Sequence, residues 1–240
     1  CVLSMKVHRA TGIYKRLTYI CLTEFNKKKL LGLKGLTPEQ IFVKPNAVSA
    51  PEALMPELER QDRFLFAARL EEMKGIRVLL EAWRLLGSNG PELLICGSGP
   101  LDEWSRKFAA DNKMTNVRFL GRLPNDQVRR LMATSRALIL PTQWYEGFPL
   151  SIAESYSMGT PVLVSNLGNG GSLIKQGVTG LKFDPKSPQS IAKAVEKMEA
   201  EKNVNWEENT RRVYDQALTP EKNYAALMEV YAAAKERVRK

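Results

Sequence analysis

The chain has 240 residues, of which 44% are hydrophobic, enough for one large domain or for a domain with part of another. It contains no run of 18 apolar residues and no apolar signal-peptide core at its start, so it is not predicted to span or cross a membrane. Its three cysteines are widely separated and lack paired spacing, which argues against a zinc site and favours a reducing compartment.

The net charge of +10 is concentrated in the N-terminal part. Residues 1–34 carry eight Lys or Arg and one acidic residue, Glu24. No aromatic residues are interleaved at a recognisable spacing, so nucleic acid binding is not favoured. A solvated helix face is the common origin of such a run, and contact with an anionic membrane surface is the alternative. The single histidine, His8, is interpreted as a surface residue of this stretch.

Apolar runs of strand length then alternate with segments of helical periodicity. The predicted strands cover 18–23, 41–46, 63–69, 92–97, 116–121, 137–142 and 161–166, with helices over 74–87, 101–112 and 124–135 and a loop over 51–62. Such repeated β-α-β units predict a parallel sheet with helices on both faces. After 179–185 the pattern is helical only, with helices over 187–201, 205–217 and 220–239 and no further strand. Residues 1–36 are too few for a core of their own, which predicts a boundary near residue 37.

Residues that follow the strands deserve inspection because ligands bind beyond the carboxyl ends of open parallel sheets. Arg69 ends one strand and Lys74 follows five residues later, so the two cations could neutralise a diphosphate. The alternative is an ordinary pair of surface cations at a strand-to-helix turn. The GSGP turn that begins at Gly97 has two of the three glycines of the dinucleotide fingerprint, but Pro100 follows them. No acidic residue takes the ribose position, so a dehydrogenase is not predicted.

A helix over 149–158 is predicted, with Pro149 at its first position and Gly159 after its end. The free N–H groups near its start and the helix dipole favour an anion such as phosphate. Glu146 precedes this helix and Glu154 lies on its second turn. Each carboxylate could accept hydrogen bonds from the hydroxyls of a different sugar. A turn residue and a solvated helix residue are the simpler alternatives.

The stretch E-G-F-P-x-x-x-x-E resembles the E-x7-E motif of the retaining, GT-B-fold glycosyltransferases of family 4. Along residues 41–185, the segments VKPNAV, ARLEEMKG, ICGSGP, NVRFLGRLP and QGVTGLKF resemble further motifs of that family in the same order. The resemblance implies a Rossmann-like α/β domain that forms the C-terminal half of a GT-B fold, followed by C-terminal helices. It divides the chain into a remnant of the N-terminal acceptor domain with its linker (1–36), a nucleotide-sugar-binding domain (37–218) and a helix that packs back on the N-terminal domain (219–240).

The resemblance also implies an activity, namely transfer of a sugar from a UDP- or GDP-sugar to a sugar or lipid-linked acceptor with retention, in polysaccharide or glycolipid synthesis. It implies no metal or other cofactor. The cysteines favour a cytoplasmic protein, and the basic N-terminal segment favours peripheral contact at the inner membrane face. As catalytic residues it implies Arg69 and Lys74, which would neutralise the diphosphate, and Glu146, which would contact the donor sugar. Glu154 would hold the ribose hydroxyls. The other donor-binding residues that it implies are Gly97, Gly121, Arg122, Leu123, Gly147, Phe148, Pro149 and Leu150.

The sequence departs from the family pattern in two places. Only residues 1–36 represent the acceptor domain, so we expect a fragment that binds donor nucleotide and is poorly active alone. Gly171 and Ser172 stand where many relatives have a Pro-Glu pair, so no sugar contact is expected from that loop. Three alternatives stay open: a GT-B epimerase, which needs acid and base residues; a phosphorylase, which needs a pyridoxal lysine; and a non-catalytic nucleotide or lipid-headgroup binding module.

Overall fold

The computed structural model describes residues 10–33, 35–50 and 59–239. Its strands, in chain order, are β1 (Tyr19–Cys21), β2 (Ile41–Val43), β3 (Gln61–Ala67), β4 (Glu92–Cys96), β5 (Val117–Gly121), β6 (Ser135–Leu140), β7 (Val162–Ser165) and β8 (Gly180–Phe183). Six of them form one parallel sheet in the order β5-β4-β3-β6-β7-β8. Strands β1 and β2 form a separate two-stranded parallel sheet.

Helices connect and follow these strands. They are α1 (Glu24–Leu31), α2 (Ile76–Leu86), α3 (Asp102–Asp111), α4 (Asn125–Thr134), α5 (Leu150–Ser157), α6 (Gly168–Leu173), α7 (Pro188–Ala200), α8 (Trp206–Ala217) and α9 (Pro220–Arg239). Short 3-10 turns cover Ile13–Arg16, Pro38–Gln40 and Glu72–Lys74. Within the described ranges, no helix combines the length and the apolar character that a bilayer span requires.

The six-stranded sheet is covered on both faces, which explains the apolar runs at the centre of its strands. Phe64 and Phe66 of β3 pack in one cluster with α2 and α7, where Trp83 is fully buried. Leu65, between them, points to the other face and packs with α5 and α8, where Tyr156 is 1% exposed. The predicted fold class, a Rossmann-like parallel sheet with helices on both faces, is confirmed.

The predicted elements agree with the structure over most of residues 59–239, with two omissions. The helices after β8 and the absence of a further strand there are as predicted for the described residues. The short elements α6 and β8 were not predicted, because α6 is rich in glycine and β8 has four residues including Lys182. The predicted boundary near residue 37 falls between the paired strands β1 and β2, and it stays a prediction. His8 and most of the predicted loop, residues 51–58, lie outside the described residues.

Candidate functional site

Two adjoining clefts lie beyond the carboxyl ends of β3, β4, β5 and β6. The larger cleft, of about 610 Å³, is bordered by the chain after β3, β4 and β5 and by α4 and α5. The smaller cleft, of about 170 Å³, is bordered by the chain after β3 and β6. Four of the residues that the structure describes line both clefts: Ala67, Ala68, Arg69 and Ser151. An extended ligand can therefore occupy both clefts and pass Arg69 on the way.

The smaller cleft contains an ion pair between two residues of the predicted site. The Lys74 Nζ atom lies 2.5 Å from Glu146 Oε1, and both side chains are about one-quarter to one-third exposed, at 34% and 22%. Thr142 Oγ1 lies 3.4 Å from the same carboxylate oxygen. Lys74 and Glu146 are 72 positions apart in the chain, so their ion pair depends on the packing of two separate loops.

Gly75 allows those two loops to approach each other. Its φ is +75°, in the left-handed region that favours glycine, and a Cβ atom there would lie 1.8 Å from the carbonyl oxygen of Pro141. Two hydrogen bonds join the same loops, since Gln143 N donates to Met73 O at 2.8 Å and Thr142 Oγ1 donates to it at 3.1 Å. Lys74, between Met73 and Gly75, is thus held beside the loop after β6.

Arg69 lies two residues beyond β3, where the two clefts meet. Its side chain is 65% exposed, and its Nε atom lies 3.4 Å from Glu71 Oε2. An exposed pair of this kind contributes little stability, about 0.2–1 kcal/mol, so the guanidinium can turn to an anion at small cost. The structure therefore brings both predicted cations, Arg69 and Lys74, to the smaller cleft.

Helix α5 begins one residue later than predicted. Pro149 is its N-cap, with a ψ of 102° that is extended rather than helical, so the expectation that Pro149 takes the first helical position is wrong. The helix ends at Ser157, and Gly159 follows with a φ of +70°. Ile152 N donates to Pro149 O, while the N–H groups of Leu150 and Ser151 precede that first bond. Ser151 lines both clefts, so the positive end of the helix dipole faces their junction.

Glu154 lies on the second turn of α5 and lines the larger cleft. Asn125, the first residue of α4, points its Nδ2 atom at Glu154 Oε1 across 3.4 Å. Cys96 also lines this cleft and is 3% exposed. Burial raises the pKa of its thiol to about 11, so the thiol is neutral at physiological pH.

The other predicted donor-binding residues divide into two groups. Three of them line the larger cleft: Gly97, Arg122 and Leu123. Gly121 ends β5, and its carbonyl accepts a 2.7 Å bond from Gly97 N. The other five, Gly121, Gly147, Phe148, Pro149 and Leu150, are not among the residues that line either cleft. Phe148 and Pro149 are buried, whereas Gly147 and Leu150 are exposed.

Among the lining residues that the sequence analysis does not predict are three with polar side chains: Thr142, Ser151 and Asn125. A signal for two of them was present in the chain. Thr142 follows β6 by two residues, and Ser151 lies in the first turn of the helix that was interpreted as an anion site. Asn125 begins a helix, and its proximity to Glu154 depends on how α4 packs on α5.

The fold and the site together define a Rossmann-like domain in which two adjoining clefts, bordered by two cations and two carboxylates, lie at one edge of the sheet. Residues 55–217, well over half of the chain, match the family model described as glycosyl transferases group 1. The chain belongs to this family.

Curated relatives of known name match part of the chain. One is D-rhamnosyltransferase WbpZ of Pseudomonas aeruginosa, 34% identical over 134 residues, which are 55% of this chain and 34% of that protein. Another is O-antigen chain mannosyltransferase C of Escherichia coli, 27% identical over 177 residues, which are 72% of this chain and 47% of that protein. The chain therefore spans between a third and a half of the length of these relatives.

Solved structures are similar over nearly the whole chain. A glycosyltransferase from Rickettsia africae has a TM-score of 0.77 and 19% identity, and the likeness covers 94% of this chain and 65% of that one. Anabaena Alr3699/HepE, in complex with UDP and glucose, has a TM-score of 0.73 and 17% identity, with 90% of this chain and 63% of that one covered. At such identities the likeness concerns the fold, and it agrees with the GT-B glycosyltransferases.

Proposed function

We propose that this chain is the donor-binding half of a retaining glycosyltransferase of family 4, acting in polysaccharide or glycolipid synthesis. The observation that carries the proposal is the pair of clefts that meet at Arg69 and Ser151, with one carboxylate in each cleft. Family membership supports sugar transfer. The names of the relatives, a D-rhamnosyltransferase and an O-antigen chain mannosyltransferase, support a glycan product. The UDP and glucose of the Anabaena protein support a nucleotide-sugar donor, here a UDP- or GDP-sugar.

The donor is assigned to the clefts by the chemistry of their residues. The larger cleft, with Glu154, takes the nucleoside, because a carboxylate accepts hydrogen bonds from ribose hydroxyls. The smaller cleft, with Glu146 and Lys74, takes the sugar. The diphosphate then lies at the junction, beside Arg69 and the start of α5, where positive charge and free N–H groups favour an anion.

Charge stabilisation is the main contribution of these residues to the reaction. The anomeric carbon–oxygen bond to the diphosphate breaks while the acceptor oxygen attacks from the same face, and the acceptor proton passes to the departing diphosphate. Arg69 and Lys74 stabilise the charge that develops on that group, so no metal ion is required. An ammonium group has three donors, which lets Lys74 contact phosphate while it keeps its bond to Glu146.

The acceptor and the cellular site of action follow from the same proposal. We expect a sugar or lipid-linked acceptor and peripheral contact with the inner membrane face, for which the basic residues of α1 offer charge. We expect the 240-residue chain alone to bind the donor and to transfer sugar poorly, because it matches only 34% and 47% of the two relatives.

Calorimetric titration with UDP, GDP and ADP tests the donor site. The parent chain should prefer one nucleotide, and Arg69→Ala and Glu154→Ala should each weaken its binding by roughly 10- to 100-fold, the effect of losing a hydrogen bond to a charged group. Arg84→Ala is the matched control, since Arg84 is an exposed arginine paired with Glu81 on the surface of α2. The assignment is wrong if the parent binds no nucleotide, or if both site variants bind as tightly as the control.

A further inference from the structure

A buried chain of hydrogen bonds links α1 to the main chain of Glu146. Thr23 is the N-cap of α1, and its hydroxyl accepts a 3.2 Å bond from Asn26 N. The same hydroxyl donates to Oδ1 of Asn169, a residue of α6. Asn169 Nδ2 in turn donates to the carbonyl oxygen of Glu146 at 2.6 Å. Thr23 and Asn169 are 3% and 4% exposed, so water does not compete for these bonds.

The orientation of the Asn169 amide is fixed by its partners. The Glu146 carbonyl can only accept, so the NH₂ group of Asn169 must face it. The amide oxygen then faces Thr23. Because an amide oxygen can only accept, Thr23 supplies the hydroxyl hydrogen, while its own oxygen accepts from Asn26 N. The donors and acceptors of Thr23, Asn169 and Glu146 are therefore matched, and a substitution that removes one of them leaves a buried polar atom without a partner.

The neighbouring residue in the loop, Tyr145, is held by the same two helices. Its ring stacks on Phe25 of α1, with centroids 6.3 Å apart and planes at 18°. The ring also lies close to Gly168, the first residue of α6, where an added Cβ atom would be 2.4 Å from Tyr145 Cδ1. The glycine at this position therefore allows α6 to approach the loop closely enough for Asn169 to reach Glu146.

We propose that Asn169 is a positioning residue for Glu146, with Thr23 as the support that orients it. The side chain of Glu146 is held by Lys74, and its main chain is held by Asn169, so both ends of the residue are fixed. Asn169 is thereby assigned to the sugar end of the donor site, a role that rests on the proposed function. Helix α1 contributes to the site through Thr23, although it does not line either cleft.

The proposal makes a selective prediction about ligand affinity. Thr23→Val and Asn169→Ala should release the loop at Glu146 and leave Arg69 and Glu154 in place. Affinity for the free nucleotide, UDP or GDP, should then stay within about twofold of the parent, whereas the Kd for UDP-glucose or GDP-mannose should rise about tenfold, the effect of one buried hydrogen bond. A general loss of folding would raise both dissociation constants together.

Hydrogen–deuterium exchange tests the bridge without any ligand. Peptides covering 143–149 should exchange about tenfold faster in Thr23→Val and in Asn169→Ala than in the parent. Thr23→Ser keeps the hydroxyl and should exchange like the parent. Ser187→Ala is the matched control, because Ser187 caps α7 as Thr23 caps α1, through a bond from Ser190 N.

The outcomes separate this inference from the proposed function. Unchanged exchange at 143–149 in both bridge variants, or equal acceleration in Ser187→Ala, would overturn the positioning role. Faster exchange in both bridge variants of a chain that binds neither nucleotides nor nucleotide-sugars would support the hydrogen-bonded bridge from Thr23 through Asn169 to Glu146 and would refute the donor site. Faster exchange with equal losses for nucleotide and nucleotide-sugar would refute the assignment of Asn169 to the sugar end.

Discussion

Substitution of Gly75 by alanine is expected to damage both stability and the site. The residue has φ +75° and ψ 24°, and its Cβ would lie 1.8 Å from the carbonyl oxygen and 2.7 Å from the carbonyl carbon of Pro141. No rotation of a side chain relieves these contacts, because the two Pro141 atoms belong to the backbone and the position of the Cβ atom is set by the backbone of residue 75. The start of α2 must then move away from the loop after β6, and Lys74 moves with it.

Comparison with a second glycine separates the two contributions to this loss of stability, the backbone conformation and the contact with Pro141. Gly12 has nearly the same backbone conformation, φ 70° and ψ 11°, but nothing lies within 4 Å of its Cβ position. The left-handed conformation destabilises a folded chain with alanine by about 1–2 kcal/mol, whereas the smaller conformational entropy of the unfolded chain stabilises it by about 0.4–1 kcal/mol. Gly12→Ala should therefore lower the free energy of unfolding by about 1 kcal/mol. Overpacking adds about 1–3 kcal/mol, so Gly75→Ala should cost about 2–4 kcal/mol.

Urea unfolding of the parent and the two variants measures these free energies by linear extrapolation. The two substitutions remove the same glycine preference, so their difference isolates the contact with Pro141. Nucleotide titration of Gly75→Ala under folding conditions should also show weaker binding, because Lys74 is displaced. Equal destabilisation by the two substitutions would refute the argument that Gly75 is required by close approach.

Two further predictions concern buried groups near the site and in the core. A pKa of about 11 leaves roughly 0.1% of Cys96 as thiolate at pH 8. Alkylation of Cys96 by iodoacetamide in the folded chain, measured by peptide mass spectrometry, should therefore be slower than that of free cysteine by a few hundredfold. Alkylation at the rate of free cysteine would contradict the assigned burial. Tyr156→Phe removes the 2.7 Å hydrogen bond from the buried Tyr156 hydroxyl to Thr179 Oγ1. Urea unfolding should then show that the free energy of unfolding falls by about 1–2 kcal/mol. No measurable change would contradict a stabilising role for this bond.

The sequence was sufficient to predict which loops border the clefts. Parallel strands present their carboxyl ends at one edge, so Arg69, Glu146 and the start of α5 were expected to lie together, and the structure places them there. The strands themselves were recognisable because burial on both faces demands continuous apolar runs. Their individual roles toward a donor stay predictions.

The pairing between distant residues was not predictable in the same way. Lys74 was interpreted as a phosphate ligand, whereas in the structure its nearest partner is Glu146, brought to it by the contact of Gly75 with Pro141. Asn169 lies in a glycine-rich segment without a recognisable pattern, and its contacts join three separate parts of the chain. Periodicity reports which face of an element is buried, but it does not report which loop that element meets.

The division of the site between two clefts has a consequence for how donor preference can change. In the proposed assignment of the donor, the nucleoside end is bordered by the loops after β4 and β5 and the sugar end by the loop after β6. Four of the described residues line both clefts. Substitutions that alter the choice of base therefore fall in stretches of chain different from those that alter the choice of sugar. On such a scaffold, the preference for the sugar can change while the preference for the base stays the same, and the reverse.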